Sequence, residues 1–461
     1  MVTRAAFKGE ALSRREMFSL CAKVSIGLGA GATLGGWGAT LTPKMVTAAS
    51  APVVTVDFWQ NWPGILGKAV DRLAARFNAV QDSIVVKPLV TEVGNKPEKL
   101  LAAIAGRNPP DAVTLSDDLV LGFSSRDMLL PLDSLIAASK VIRRANYPDA
   151  LWVPSKYQGK TYGVPAIENA PRLALGWNKT LFKAAGMDPE RPPTTLEGLA
   201  DMAEKLTKFD ANKNLIQIGF DPLDAMGGGQ ALNTWARAFG ADWYDARAQK
   251  IHFDTPEMAA LVDYVTSFHK KYGSEKMAAF RQSYAMWSGR PEGSFPRGVE
   301  AMILEGYWAP GELKETAQPG NVYGWTWMPT RTGEKIQIMG GWNVCIPKGA
   351  KHVKEAFRFI EFLSTDDSNL TILEAAGSFC ATKSFATKTD FTRYGGMAWF
   401  MDSVTKANKV YGAVLCPVFA EAKARLQQGL DEVSFGRKTA KEMLAGLQST
   451  VQDALDKALR R

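Results

Sequence analysis

The chain has 461 residues, 46% of them hydrophobic and 22% charged; this balance excludes a disordered chain, and the length exceeds what one core usually serves, so two lobes are expected. The formal charge of +8 is concentrated at the start: without the six basic and two acidic residues of 1–51 it falls to +4. No basic run with interleaved aromatics remains, which argues against a nucleic-acid partner.

Near the N-terminus, Ser13-Arg14-Arg15-Glu16-Met17-Phe18 sets the twin arginine Arg14 and Arg15 ahead of a weakly apolar stretch, 18–41, in the pattern of a twin-arginine export signal. Lys23 and six glycines make that stretch too polar for a stable membrane span. Ala48-Ala49-Ser50-Ala51 offers a cleavage region, so 1–51 is expected to be a signal segment and the processed chain to reside in the periplasm. Cys21 follows Leu20 and does not suit lipid attachment. Cys345, Cys380 and Cys416 are odd in number, scattered and without a C-x-x-C, so buried free thiols are expected.

Along the remaining chain, a β-branched strand at 53–58 is broken by Gln60-Asn61-Trp62-Pro63-Gly64 before an amphipathic helix at 66–79. A strand at 84–90, a helix at 96–105 and a short buried strand at 112–115 follow, and this β-α alternation argues for an α/β fold with parallel sheets. The middle is richer in helix, with 195–207 bounded by Pro192-Pro193 and Asp210-Ala211-Asn212 and capped by Thr195. Further helices are predicted at 256–272, 350–363, 419–433 and 439–459, the last opening on a Thr439/Glu442 capping box. The run 210–214 lacks the glycine and distal glutamate of a calcium loop, and Gly227-Gly228-Gly229 lacks the strand-and-lysine setting of a phosphate loop.

Many short blocks then occur in one order: Phe58-Trp59-Gln60-Asn61-Trp62, Pro110-Asp111-Ala112-Val113, Ser116-Asp117-Asp118, Leu130-Pro131-Leu132-Asp133 and Gly159-Lys160-Thr161-Tyr162-Gly163-Val164-Pro165. Trp177-Asn178-Lys179, Pro192-Pro193-Thr194-Thr195, Ile218-Gly219-Phe220-Asp221, Gly306-Tyr307-Trp308 and Gly340-Gly341-Trp342 continue it. Together they resemble the extracellular solute-binding proteins of sugar ABC importers, the maltose-binding-like and glycerol-phosphate-binding-like group. The resemblance implies an α/β, two-lobed periplasmic-binding-protein fold (type II) with discontinuous lobes joined by crossing hinge segments. On this reading one lobe is 52–160 with 345–390 and the other 161–344 with 391–461, with crossings near 156–165, 338–345 and 385–395.

A sugar offers apolar C–H faces and a ring of hydroxyls, so its receptor needs aromatic platforms and fixed polar groups. Trp59, Asn61 and Trp62 bracket the first strand break; Asp117 and Asp118 follow a buried strand, where either carboxylate serves a ligand or caps the next helix. Glu168 and Asn169 follow the Tyr-Gly-x-Pro block as hydroxyl partners, and Arg172 orients an acceptor, meets an anionic sugar or pairs with Glu168. The resemblance places Trp235, Trp308, Gly341, Trp342 and Ser378 around the same cleft, although Trp235 lies in a predicted helix, where an aromatic more often serves the core.

His252, His269 and His352 stand in polar or helical-surface settings without a serine elbow, a companion cysteine or an H-E-x-x-H, so no catalytic residue, metal or cofactor is expected. Adjacent carboxylates such as Asp117-Asp118 do not make the opposed pair of a glycosidase. The expected function is a substrate-binding component of an ABC importer, a monomer that captures a mono- or oligosaccharide and delivers it to the permease membrane subunits. The alternatives are a receptor for a polyamine, an amino acid or a phosphorylated polyol, and a carbohydrate-active enzyme.

Overall fold

Residues 52–460, apart from 93, 95, 96, 224–231 and 285–288, are described by a computed structural model. The expectations for Arg14, Arg15, the cleavage region and Gly227–Gly229 lie outside these residues. The strand β1 (Val54–Gln60) pairs in parallel with β2 (Ile84–Val90) and β3 (Ala112–Ser116). Between β1 and β2, α1 (Gly64–Ala79) buries Leu66, Ala69, Val70, Leu73, Ala74 and Phe77, the i, i+3, i+4, i+7 spacing that lays one apolar stripe on the sheet. The short helix α2 (Glu98–Ala105) leads to β3, which runs directly into α3 (Asp117–Ser124).

Two long strands complete this first sheet. β4 (Gly163–Pro171) and β10 (Ile336–Cys345) pair antiparallel with each other; β10 also pairs antiparallel with β3 and in parallel with β11 (Lys409–Tyr411). A second sheet runs β9 (Tyr323–Thr326), β5 (Ala174–Asn178), β8 (Glu300–Glu305), β7 (Leu215–Phe220) and β6 (Lys208–Phe209). Helix α4 (Leu196–Leu206), with Thr195 capping the amide of Gly198, lies on this sheet beside α5 (Pro256–Tyr272). Helix α6 (Ala309–Thr316) follows β8. Helices α7 (Val353–Leu363) and α8 (Asp366–Ala376) return to pack on α1, and α9 (Met397–Lys406) follows them. The last two helices, α10 (Phe419–Ser434) and α11 (Ala440–Leu459), pack on each other and on α5, with the Thr439/Glu442 capping box formed.

The pairing displaces the lobe boundaries read from sequence. Residues 163–171, 336–344 and 409–411 were assigned to the second lobe, yet they are strands of the first sheet. The chain leaves that sheet at Pro171 and enters the second at Ala174, so the first crossing is Arg172-Leu173; the others fall between β9 and β10 and between β11 and α10. Gln337 ties the crossings together. Its Oε1 accepts from Leu173 N at 2.9 Å, and its Nε2 donates to Leu173 O at 3.0 Å and to Ser403 Oγ of α9 at 2.6 Å.

Cys345, Cys380 and Cys416 are free and buried, and burial pushes all three thiols well above their ordinary pKa. His269 departs from its helical-surface expectation. It is buried on α5, with Nε2 at 3.1 Å from Asp221 Oδ1, because the face of α5 that carries it turns toward the end of β7.

Candidate functional site

The site begins where β3 becomes α3. Asp117, the first residue of that helix, is buried; its Oδ2 accepts from Gly341 N at 2.8 Å and its Oδ1 from Asn343 Nδ2 at 2.9 Å. These two bonds clamp β10 on either side of Trp342. On the other edge of β10, Asn343 pairs with Pro165 and Gly341 with Asn169, so Ala166, Ile167 and Glu168 stand opposite the single residue Trp342. This is a β-bulge, and Ile167 within it adopts φ 69°, a left-handed conformation that a β-branched residue enters only under constraint. Gly341 is the residue that lets the strands close here: a Cβ on it would lie 1.9 Å from Glu168 O.

The bulge sets Glu168 and Trp342 at one place. Trp342 is the one half-buried residue of an otherwise buried β10, and its ring meets the buried Trp62 edge-on, with centroids 5.2 Å apart and planes at 66°. Asn61 supports this pair from outside by accepting from Gly94 N at 2.9 Å, and Gly94 lies so close to Trp342 that a Cβ would sit 2.4 Å from its Cη2.

The second sheet contributes the Gly306-Tyr307-Trp308 turn after β8. Tyr307 is buried; its hydroxyl donates to Phe379 O at 3.1 Å and lies 3.1 Å from Ser378 Oγ. Trp308 Nε1 donates to Glu305 Oε2 at 2.8 Å, and the Arg172 guanidinium lies 5.3 Å from its ring centroid. Arg172 therefore stands on the first crossing, between the two sheets.

Burial dominates the electrostatics. It raises the Glu168 carboxyl from 4.5 to about 7, against the pull of Arg172 and with Glu312 adding to the rise. The Trp62 indole also favours the charged form of Glu168, although its N–H falls outside hydrogen-bond geometry. Burial likewise raises Asp117 from 3.8 to about 7, opposed by the Gly341 N–H and Arg172. Carboxyls with raised folded-state pKa hold protons that the unfolded chain has released, so their contribution to stability is present below about pH 4 and is lost as pH rises to about 7. The unliganded Glu168→Gln variant should therefore lose less stability than the wild type between about pH 4 and pH 8, read from urea denaturation at several pH values.

Trp62, Asp117, Glu168, Arg172, Trp308, Gly341 and Trp342 are linked by these contacts and couplings. Three other sequence candidates are engaged in holding the scaffold. Asn169 donates to Trp342 O and Ala166 O, Ser378 Oγ donates to Ile167 O at 3.2 Å, and Asp118 accepts from Ser116 Oγ at 2.5 Å. Trp59 and Trp235 are not brought to the site. Side chains alternate along β1, so Trp59 points away from the face of Phe58 and Gln60 and packs against the buried cluster that includes Leu100, Val113 and Leu115. Trp235 is fully buried beside Phe220, Phe239 and Tyr264, with Nε1 donating to Pro222 O at 2.8 Å. Tyr307, Asn343 and Gly94 are additions that sequence reasoning missed; only Tyr307 had a signal, its place beside Trp308 in a quoted block.

A cavity of about 370 Å³, lined by none of these linked residues, lies between α1, α6 and α8. Its walls include Ile65, Pro310 and Gly377, within three residues of Trp62, Trp308 and Ser378 respectively. Gly311 of α6 meets Gly377 directly, since a Cβ on Gly311 would lie 2.6 Å from Gly377 Cα, and the volume is in the range of small-molecule sites.

The profile of the bacterial extracellular solute-binding protein family matches residues 72–398. The sn-glycerol-3-phosphate-binding periplasmic protein UgpB of Escherichia coli K12 is 26% identical over 361 residues, covering 75% of this chain and 77% of that protein. Among solved structures, CpMnBP1 with mannotriose bound is 26% identical at a TM-score of 0.78, covering 86% of this chain and 99% of that one. A solute-binding protein of an ABC transporter from Thermotoga lettingae TMO, bound with α-D-tagatose, superposes at 0.73 with 20% identity over 87% of this chain and all of that one, which supports the two-lobed fold. With the family profile spanning most of its length and the fold shared with these receptors, the chain belongs to the bacterial extracellular solute-binding protein family.

Proposed function

We propose that this protein captures a sugar or related polyol between its two lobes and delivers it to the membrane subunits of an ABC importer, without acting on it chemically. The observation that carries this reading is the Trp62–Trp342 pair set beside the Glu168 bulge, which joins aromatic faces to buried polar atoms as a polyhydroxylated ligand requires. Mannotriose and mannobiose occupy the CpMnBP1 structures, which resemble this chain at 26% and 25% identity. Export through the twin-arginine route to the periplasm, read from Arg14 and Arg15, belongs to the same proposal. Ligand contacts on both lobes would favour the closed arrangement by population shift, and that closed shape is what the permease reads.

A thermal-shift series with mannobiose, mannotriose, tagatose and ribitol tests this. A ligand at 100 times its Kd should add about 2.7 kcal/mol of stability and be recovered uncleaved. No shift with any saccharide or polyol would overturn the reading, and cleavage products would turn it into a carbohydrate-active enzyme. The relationship to UgpB favours a second reading, a phosphorylated polyol receptor.

A further inference from the structure

We infer that the site selects an uncharged hydroxyl-bearing ligand over a phosphorylated one, with Glu168 and Arg172 sharing one ligand hydroxyl. The inference rests on the reading of this cluster as the solute site, and it chooses between the two ligand classes that the relatives leave open.

Among the described residues, Glu168 Oε2, the neighbouring Asn169 Oδ1, Arg172 Nε and Trp62 Nε1 are buried and make no hydrogen bond. Buried polar atoms left without partners are costly and uncommon, so this group of them at Glu168 marks a place where a ligand supplies the missing bonds. The set comprises two acceptors, Glu168 Oε2 and Asn169 Oδ1, and two donors, Arg172 Nε and Trp62 Nε1. A hydroxyl donates to Glu168 Oε2 while accepting from Arg172 Nε or Trp62 Nε1, and a neighbouring hydroxyl oxygen takes the remaining donor. A phosphate dianion brings acceptors only; it satisfies the donors but leaves Glu168 facing like charge.

Charge balance points the same way. The groups coupled at this point are Glu168, Asp117, Asp118 and Glu312 against Arg172. The Arg172 guanidinium lies over the Trp308 ring and already faces the carboxyls of Asp117 and Glu168. A second anion placed among these carboxylates in a buried setting meets repulsion that one guanidinium does not offset.

The test uses the processed protein at about pH 8, above the range in which both carboxyls titrate. Calorimetric titration compares mannobiose, mannotriose, tagatose and ribitol with sn-glycerol 3-phosphate. The expected result is binding of at least one neutral ligand and an affinity for sn-glycerol 3-phosphate at least about 100-fold weaker. Glu168→Gln should weaken the neutral ligand at least about 10-fold and narrow the gap between the two classes. Binding of sn-glycerol 3-phosphate as tight as, or tighter than, every neutral ligand overturns the inference while leaving solute capture in place. Unchanged neutral affinity in a folded Glu168→Gln protein overturns the role given to Glu168. Binding of neither class overturns this inference together with the function on which it rests. The wild-type comparison needs no variant, so a Glu168→Gln protein that fails to fold does not remove the test.

Discussion

Replacing Asp117 by alanine should lower the unliganded protein's stability by about 3 to 5 kcal/mol, read from the urea midpoint at constant m-value. Asp117 accepts from the Gly341 amide and the Asn343 side chain, and all three residues are buried. Without the carboxylate, two donors are left in the interior, each worth about 1 to 3 kcal/mol when unmet. Asp117→Asn keeps one acceptor and should lose less. The sequence suggested a residue that touches ligand; since both oxygens are already occupied by β10, the expected effect on ligand runs through the position of Trp342, which those two bonds bracket. A loss in Asp117→Ala below about 1 kcal/mol would show that the clamp is not what holds the bulge.

Replacing Trp342 by alanine should weaken binding of a saccharide ligand about 100-fold or more, with a smaller loss of unliganded stability. Its half-buried ring, held edge-on by Trp62 and backed by Gly94, is the aromatic surface of β10 that remains accessible. Trp59→Ala is the informative control. Trp59 and Trp62 are equivalent as sequence features, yet Trp59 packs against a separate buried cluster from the one that holds Trp62. Affinity in Trp59→Ala should stay within about 2-fold of wild type. A reversed order, with Trp59→Ala losing ligand and Trp342→Ala keeping it, would move the platform to the other face of β1.

Local information suffices where a contact spans only a few residues. The helix capped by Thr195 and the Thr439/Glu442 box form as read, because a cap is a contact over three residues. The strand-loop-helix opening was equally legible, since both the alternation in β1 and the stripe on α1 fall within one window. Trp235, whose helical setting already favours a core role, is fully buried in the core.

The site itself depends on pairings that no window spans. Asp117 reaches Gly341 and Asn343 across more than 220 positions, and the bulge exists only because β4 and β10, separated by some 170 residues, pair out of register at Glu168. Alone, β4 and β10 are buried runs without a polar face, so they carried no sign of which sheet would take them, and the lobe boundaries were drawn on the wrong side of both. The amino-acid sequence by itself determined the α/β class, the starts of the capped helices, the family and the stock of aromatic and polar side chains. The tertiary structure decided which tryptophans meet, which carboxylates lose water and where the chain crosses between sheets, because burial and strand register come from contacts distant in sequence.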